Sequence, residues 1–304
     1  MTLAVQATGL RRSFGELVAV GGVDLAIPER EVFGIVGPDG AGKTTLLRLL
    51  VGVLAADQGS VQIVGHDLVK QRYETRFLLG YMSQAFSLYQ DLTVLENIAF
   101  FASLRRVSRA DRDARSKRLL AATGLAPFTK RRAGQLSGGM KQKLGLICTL
   151  VHEPKVLFLD EPTNGVDPVS RREFWDILGE LRAHVTVVVS TPSLDEAERC
   201  DRVALMTGGK LLRVDTPDKL RFAVTLPVWE VQASDAVRAF SALEAAMPPN
   251  AAQLFGDRVH VVTDHPEAEL HALLAGAGLT AAIRQVEPSL EDAYVQLVGA
   301  EQRA

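Results

Sequence analysis

The sequence has little of what would assign it to a disulfide-rich or cysteine-ligated class. Among 304 residues it has two cysteines, Cys148 and Cys200, which lie far apart and outside any metal-ligand spacing. Two isolated cysteines exclude a disulfide framework of the kind found in small secreted domains. We therefore expect reduced thiols and a reducing cytoplasm.

The chain also lacks a large net charge and a long apolar run. Its 34 Lys and Arg residues nearly balance 36 Asp and Glu residues, for a formal charge of -2, which argues against nucleic acid as a partner. The longest strongly apolar stretch, residues 46–56, is interrupted by Arg48, and the first residues do not read as a secretory signal. We expect no membrane span of its own, which leaves docking onto a membrane protein open.

What the sequence does contain is an alternation of strand-like and helix-like segments. Apolar runs of strand length at residues 31–36, 156–159, 185–189 and 203–206 alternate with longer segments of helical period. This pattern predicts a parallel sheet covered on both faces. Short runs at residues 3–7, 17–20, 23–27 and 60–64 predict a separate antiparallel sheet near the N-terminus.

Two further regions differ from this alternation. Segments 93–104 and 111–122 have helical spacing, which predicts a helical subdomain over about residues 87–150. Its arginine-rich part, 105–118, could face anionic lipid, but interspersed aspartates favour a solvated helix face. After residue 221 we predict a compact α+β domain, with strands at 228–232, 258–263 and 281–286, helices at 236–246, 267–275 and 290–297, and a turn at 247–250.

A glycine-rich loop follows the first buried strand. It reads Gly37, Pro38, Asp39, Gly40, Ala41, Gly42, Lys43, Thr44, Thr45. Between a strand and a helix this spacing predicts a phosphate-binding loop for Mg·ATP, rather than a simple turn. The backbone N–H groups and the helix dipole bind phosphate oxygens, Lys43 reaches the β- and γ-phosphates, and the Thr44 hydroxyl binds Mg²⁺.

Two adjacent acids, Asp160 and Glu161, follow the buried strand 156–159. Open α/β sheets bind ligands at the carboxyl ends of their strands, so these acids are expected to join the phosphate loop. Asp160 is the predicted metal carboxylate, and Glu161 is the predicted catalytic base or water-positioning residue. Alone, the pair could equally begin a solvated loop.

A second helix N-terminus with glycines occurs at residues 136–140. Ser137, Gly138 and Gly139 precede a helical pattern, so the Ser137 hydroxyl and exposed N–H groups form a second predicted anion site. Since the chain has one nucleoside loop, this second site would serve a nucleotide held by another subunit.

Taken in order, these motifs resemble the ATP-binding subunit of an ABC transporter, over roughly residues 3–220. The motifs are Walker A at 37–45, Gln84 in GYMSQ, the LSGG signature at 136–139, Walker B at 156–160, and the D-loop at 164–167. The resemblance implies an α/β P-loop NTPase fold with a mixed sheet core, an N-terminal antiparallel β subdomain and a helical subdomain. We therefore predict an ABC ATPase domain at 1–220 and an accessory α+β domain at 221–304.

The resemblance also implies roles for particular residues. Phe14 would stack on adenine with Val20 beside it, although Phe14 could equally be a core residue. Gln84 would contact Mg²⁺ or the attacking water and relay nucleotide state to a membrane partner through residues 86–89. Two such subunits would sandwich two ATP molecules, each bound between one chain's Walker A and the other chain's signature.

Finer features resemble the ABC-2 exporter branch, which includes drug-efflux ATPases. They are LSGGMKQKLGL, GYMSQAFSLYQDLTVLENI, LDEAERCDRVALM and the C-terminal PSLEDAYVQLV, of which the last is the weakest. The implied partners are an ABC-2 type permease and a second nucleotide-binding subunit, identical or different. The implied location is cytoplasmic, on the inner face of the cell membrane.

The sequence departs from the family pattern at one position. The strand at 185–189 is followed by Ser190, Thr191 and Pro192, and Pro192 stands where the family has a switch histidine that contacts the γ-phosphate. Because proline has no side-chain donor, we expect slow hydrolysis at this chain's own site.

Three arrangements remain open: a heterodimer whose competent site this chain's signature completes, a homodimer relying on Glu161 and Gln84, and a regulatory subunit with little turnover. A soluble ABC protein acting on ribosomes or DNA is disfavoured by the absence of basic arms or a tandem ATPase half.

Overall fold

The computed structural model describes residues 2–85, 88–248 and 251–301. The strands are β1 (Leu3–Phe14), β2 (Leu17–Pro28), β3 (Val32–Val36), β4 (Gln58–Ile63), β5 (His66–Asp67), β6 (Leu79–Met82), β7 (Val156–Asp160), β8 (Thr186–Thr191), β9 (Arg202–Thr207), β10 (Lys210–Asp215), β11 (Val228–Ala233), β12 (Ala252–Phe255), β13 (Arg258–Val262) and β14 (Ala281–Val286).

The helices are α1 (Lys43–Leu50), α2 (Arg72–Leu78), α3 (Val94–Leu104), α4 (Arg109–Ala122), α5 (Gly138–Leu150), α6 (Pro168–Leu181), α7 (Leu194–Ala197), α8 (Pro217–Arg221), α9 (Ala236–Ala246), α10 (Glu267–Gly276) and α11 (Leu290–Glu301). The chain divides into two compact units, Met1–Leu211 and Leu212–Ala304. The boundary at residue 220, between the ABC ATPase domain and the accessory domain, stays a prediction.

A six-stranded sheet has the order β10-β9-β3-β8-β7-β6, and its strands β3 and β6 to β9 belong to the first unit. The pairs β3–β8, β3–β9, β7–β8 and β6–β7 are parallel, and every residue of β3, β7 and β8 is buried. The predicted parallel sheet is therefore confirmed. Because parallel strands end at the same edge, the residues that follow β3, β6, β7 and β8 come together there.

The N-terminal antiparallel sheet is also confirmed, with the order β2-β1-β4-β5. The prediction of two separate strands at 17–20 and 23–27 is wrong, because both belong to the single strand β2. Gly22 adopts φ +86°, and the register with β1 shifts there, from Leu10 opposite Val23 to Arg11 opposite Gly21. A bulge accommodates the glycines without ending the strand.

The helical region consists of α3, α4 and α5, which pack against one another. A capping box of Thr93 and Glu96 begins α3. The arginine-rich stretch makes internal contacts: Arg115 and Arg118 reach the Glu153 carboxylate at 3.0 and 2.8 Å. Within the described ranges, no helix combines the length and hydrophobicity that a membrane crossing requires.

The second unit contains an antiparallel sheet with the order β12-β13-β11-β14. Side chains of this sheet, α9 and α10 form its core, including Val231, Leu243, Val259 and Leu270. Strand β12 was not predicted. It pairs with β13 from Phe255 opposite Arg258, so Gly256 and Asp257 form a two-residue hairpin loop. Of the turn predicted at 247–250, Pro249 and Asn250 lie outside the described residues.

Candidate functional site

The glycine-rich loop lies between β3 and α1, and two of its glycines are required by close backbone approaches. A Cβ atom on Gly37 would lie 2.1 Å from the Met206 carbonyl oxygen, and one on Gly42 would lie 2.3 Å from that of Ala19. Gly42 also adopts φ +102° as the N-cap of α1, while Gly40, at φ +81°, faces open space. The glycines thus let the loop backbone adopt a shape in which N–H groups can surround an anion.

Lys43 is the first residue of α1 and is only 4% exposed. Its Nζ donates to the carbonyl oxygens of Gly37 at 2.8 Å and Pro38 at 3.0 Å, and it lies 3.3 Å from Glu161 Oε1. The Asp39 carboxylate is 3.9 Å away and almost fully exposed. The ammonium is therefore held at the mouth of the loop by oxygens on several sides.

Two oxygen donors suited to a hard cation lie side by side at the loop. Thr44 Oγ1 donates to Asp160 Oδ1 at 2.9 Å, and Asp160 is fully buried at the end of β7. Among the described residues no group of three or more His, Cys, Asp or Glu side chains could hold a metal. The pair of Thr44 and Asp160 fits Mg²⁺, which in such sites takes one or two carboxylates and completes its coordination shell with substrate phosphates and water.

Tyr81, near the end of β6, points at the same carboxylate. Its hydroxyl lies 3.5 Å from Asp160 Oδ2. Burial, together with the negative charge of Asp160, raises the pKa of Tyr81 above its usual value. The phenol is therefore a neutral donor toward Asp160.

Glu161 follows Asp160 and is 7% exposed, in a left-handed conformation with φ +48°. Such a conformation costs about 1–3 kcal/mol for a residue other than glycine and is held by its surroundings. The Gln84 amide donates to Glu161 Oε2 at 3.0 Å, and the Asn164 amide donates to the same oxygen at 3.3 Å. The structure thus brings Glu161 and Gln84, the predicted catalytic residues, into direct contact.

A cavity of about 540 Å³ extends over the loop, and most predicted nucleotide contacts line it. These are Phe14, residues 39–45, Gln84 and Glu161. Phe14 is 46% exposed, and the Arg12 guanidinium lies 4.9 Å from its ring centroid, so it is not a core residue. Gly37 and Pro38, the first two residues of the loop, do not line the cavity and contribute the carbonyl groups that bind Lys43.

Val20 is not brought to this cavity. It is completely buried, and Leu17, Val18 and Ala19 line the cavity instead. The apolar surface beside Phe14 is therefore the first residues of β2, where the strand has not yet entered the core. The expected place of Val20 beside the adenine does not agree with this burial, and Val18 is the valine that lines the cavity.

Ser137, Gly138 and Gly139 begin α5 and do not line the cavity. The Ser137 hydroxyl caps the helix by accepting from the Met140 N–H at 3.3 Å. Gly138 faces open space, whereas a Cβ on Gly139 would lie 2.5 Å from Ser170. This helix N-terminus is exposed at Ser137 and Gly138 and separate from the phosphate loop of the same chain.

Pro192 follows β8 and lines a small cavity together with Glu161 and Asn164. Glu196 forms another wall, accepting from the hydroxyls of Thr163 at 2.6 Å and Thr191 at 2.5 Å. The proline thus shares a cavity with the predicted catalytic carboxylate and with Asn164, whose amide donates to that carboxylate.

Sequence reasoning missed Ser190 and Glu196 as members of this site, and it named Asn164 only as part of the D-loop. Ser190 lies opposite Asp160 in the parallel register of β7 and β8, and its Oγ donates to Asp160 Oδ1 at 2.8 Å. The signal was a serine that ends a run of buried valines. Of the residues predicted to relay nucleotide state, Phe86 and Ser87 lie outside the described residues.

Comparison with known proteins adds an independent finding. The family model described as ABC transporter matches residues 20–164. The daunorubicin resistance ATP-binding protein DrrA3 of Streptomyces coeruleorubidus is 33% identical over 310 residues, covering 99% of this chain and 97% of that protein.

Two further proteins are similar to about 70% of this chain. The probable multidrug ABC transporter ATP-binding protein YbhF of Escherichia coli (strain K12) is 51% identical over 219 residues, covering 71% of this chain. This chain spans only 38% of the length of that relative. The solved structure of cbiO1 from Clostridium perfringens, part of the ABC transporter complex cbiONQ, has a TM-score of 0.67 at 26% identity, covering 73% of this chain and 92% of its own.

Proposed function

Because this chain belongs to the ABC transporter family, we propose that it is the ATP-binding and ATP-hydrolysing subunit of an ABC-2 type export transporter. In this role it couples ATP binding and hydrolysis, within a nucleotide-sandwich dimer, to the movement of substrate by a separate permease. The relatives named for daunorubicin resistance and multidrug transport support export as the direction.

The observation that carries this proposal is the meeting of four groups at the carboxyl edge of the central sheet. In this proposal Lys43 binds phosphate oxygens, and Thr44 and Asp160 hold Mg²⁺, which their contacts support. Glu161, held by Gln84, orients the attacking water and accepts its proton. Mg²⁺, when bound, neutralises charge on the phosphate oxygens. Gln84, which contacts Glu161 at 3.0 Å, would contact the metal as well.

We infer slow turnover at this site because Pro192 offers no donor. Loss of one such donor reduces turnover by about 10²- to 10³-fold in other enzymes, so hydrolysis is slowed and not excluded. A regulatory subunit that binds ATP with little turnover is the other candidate that Pro192 supports, but the ABC relatives do not favour it.

The partner subunit follows from the position of the signature turn. Ser137 and Gly138 do not line the phosphate cavity of their own chain. A nucleotide in that cavity would therefore contact a Ser137 and Gly138 turn only if a second subunit supplied it. That subunit is a second copy or a related chain with its own switch histidine. The permease holds the dimer at the inner face of the cell membrane and contacts the cargo.

Phosphate release by the purified full-length chain tests the function. We expect slow Mg²⁺-dependent hydrolysis that Asp160→Asn abolishes. The matched control is Asp176→Asn, which removes a surface carboxylate 3.2 Å from Arg199 and should leave the rate unchanged. Equal rates in wild type and Asp160→Asn would show that hydrolysis does not occur at this site. Brisk, cooperative hydrolysis by the chain alone would favour the homodimer over the heterodimer.

A further inference from the structure

We propose that Ser190 is a positioning residue for both acids of the nucleotide site, orienting the Asp160 carboxylate for Mg²⁺ and fixing the backbone that carries Glu161. This inference rests on the proposed ATPase function, and it assigns a role to a residue that itself does not line the nucleotide cavity. It follows from three hydrogen bonds of one buried residue, two made by its hydroxyl and one by its backbone oxygen.

The first contact concerns Asp160. Ser190 Oγ donates to Asp160 Oδ1 at 2.8 Å, and Thr44 Oγ1 donates to the same oxygen at 2.9 Å. Two donors on one carboxylate oxygen fix the rotation of the group. The other oxygen, Oδ2, has a longer contact of 3.5 Å with the Tyr81 hydroxyl. Ser190 thus determines, together with Thr44, which way the carboxylate faces.

The second and third contacts concern Glu161. Its N–H donates to both the backbone oxygen and the hydroxyl oxygen of Ser190, each at 3.1 Å. This N–H belongs to the peptide that turns into the left-handed conformation of Glu161, with φ +48°. Because the hydroxyl donates to one acid and accepts from the backbone of the next, its hydrogen position is determined by both.

The burial of Ser190 makes this arrangement rigid. Ser190 is completely buried at the end of β8, after Val187, Val188 and Val189, which are also completely buried. A hydroxyl in such a strand needs partners, and both of its partners belong to the acidic pair. Removing it leaves the backbone pairing of β8 with β7 intact, so the orientation of the acids is disturbed without loss of the sheet.

Partners that orient a metal-binding carboxylate contribute roughly 10- to 100-fold in metal affinity or activity in other proteins. We therefore expect Ser190→Ala to weaken the gain in ATP affinity that Mg²⁺ provides by roughly 10-fold or more. ATP affinity without Mg²⁺ should stay within about twofold, because the loop and Lys43 are untouched. The kcat for hydrolysis should fall as well, through Glu161.

The experiment measures binding of a fluorescent ATP analogue to the full-length chain, with and without Mg²⁺, beside the melting temperature of the nucleotide-free chain. Thr186→Val is the matched control, because Thr186 is a buried hydroxyl on the same strand that accepts from the Arg30 N–H at 2.9 Å, away from the acids. It should lower the melting temperature about as much as Ser190→Ala and leave the Mg²⁺ gain unchanged.

An unchanged Mg²⁺ gain and kcat in Ser190→Ala would show that the serine is merely structural. If Ser190→Ala proves much less stable than Thr186→Val, Ser190→Cys fills the same space with a weaker donor and allows the same comparison. A wild-type chain that binds ATP no better with Mg²⁺ would contradict the proposed function itself, which distinguishes the two failures.

Discussion

The Lys43 ammonium lies 3.3 Å from the Glu161 carboxylate, and both side chains are buried. The cation that would bind the phosphates is therefore paired with the acid that would assist hydrolysis. A bound γ-phosphate would share Lys43 with Glu161. It would also be repelled by the negative charge of the Glu161 carboxylate close by. The Glu161 carboxylate thus weakens ATP binding and assists hydrolysis.

Replacing Glu161 with glutamine separates its effect on ATP binding from its effect on hydrolysis. Glu161→Gln removes a negative charge beside the phosphates and releases Lys43, so we expect ATP to bind at least about threefold more tightly. Hydrolysis should fall by about 10²- to 10⁴-fold, because the carboxylate base is lost. Equilibrium binding and phosphate release measure the two effects.

Glu173→Gln is the control for this variant. Glu173 is also paired with a lysine, Lys143 at 2.6 Å, but it is half-exposed and does not line the cavity. Its replacement should change neither affinity nor turnover. Weaker ATP binding by Glu161→Gln would contradict the competition for Lys43.

Introducing a histidine at Pro192 tests the reason for slow turnover. Pro192→His places a side-chain donor beside Glu161 and Asn164, and we expect kcat to rise by up to about 10²-fold with little change in ATP affinity. Ser193→His adds the same side chain one residue later and should give no such gain. No increase in kcat for Pro192→His would favour the regulatory subunit.

Replacing Ser137 tests whether the signature turn acts on another subunit's nucleotide. Ser137→Ala should leave ATP binding by the isolated chain unchanged, because Ser137 does not line its own cavity, yet lower hydrolysis by the assembled dimer. Ser108→Ala is the matched control, since Ser108 caps α4 as Ser137 caps α5. Either change removes a helix cap, worth about 1 kcal/mol. Equal hydrolysis by the two variants would mean that Ser137 is only a cap.

A buried glutamate outside the site predicts a pH dependence of stability. Burial raises the pKa of Glu31 from 4.5 to about 7, against the opposing charge of Arg202 at 3.4 Å. A carboxyl with a raised pKa in the folded state favours folding below its unfolded value of 4.5, and this contribution is lost as pH rises through about 7.

Glu31→Gln removes this titration. The melting temperature of the variant relative to wild type should therefore increase between about pH 5 and about pH 8. Thermal unfolding across this range measures the difference. A difference that stays constant or decreases with pH would show that Arg202 compensates for the burial of Glu31.

Much of the central sheet was predictable because its strands are short apolar runs that end in recognisable motifs. The phosphate loop was predicted from its glycine spacing between a strand and a helix. Asp160 and Glu161 were predicted from their position after a buried strand, since parallel strands bring their carboxyl ends together. The continuity of β2 was not predicted, because the glycine pair Gly21 and Gly22 indicates a break in a strand as readily as a bulge.

The site was less predictable where contacts depend on register. Ser190 and Asp160 are far apart in sequence and lie side by side only because β7 and β8 pair in one particular register. The role of Val20 was implied by the resemblance alone, which does not show that Val20 is completely buried and that Val18 lines the cavity. Such contacts are set by packing between strands, which a single sequence does not display.

The measurement that tests the central claim most directly is equilibrium binding of Mg·ATP to two variants of the full-length chain. One carries Glu161→Gln, and the other combines Glu161→Gln with Lys43→Met, so that neither variant leaves a buried carboxylate at position 161 without its lysine. We predict tight binding by the first variant and a loss of at least about 100-fold in the second, as expected when a phosphate-binding charge is removed. Equal affinities in the two variants would show that ATP does not bind at the loop of residues 37–45.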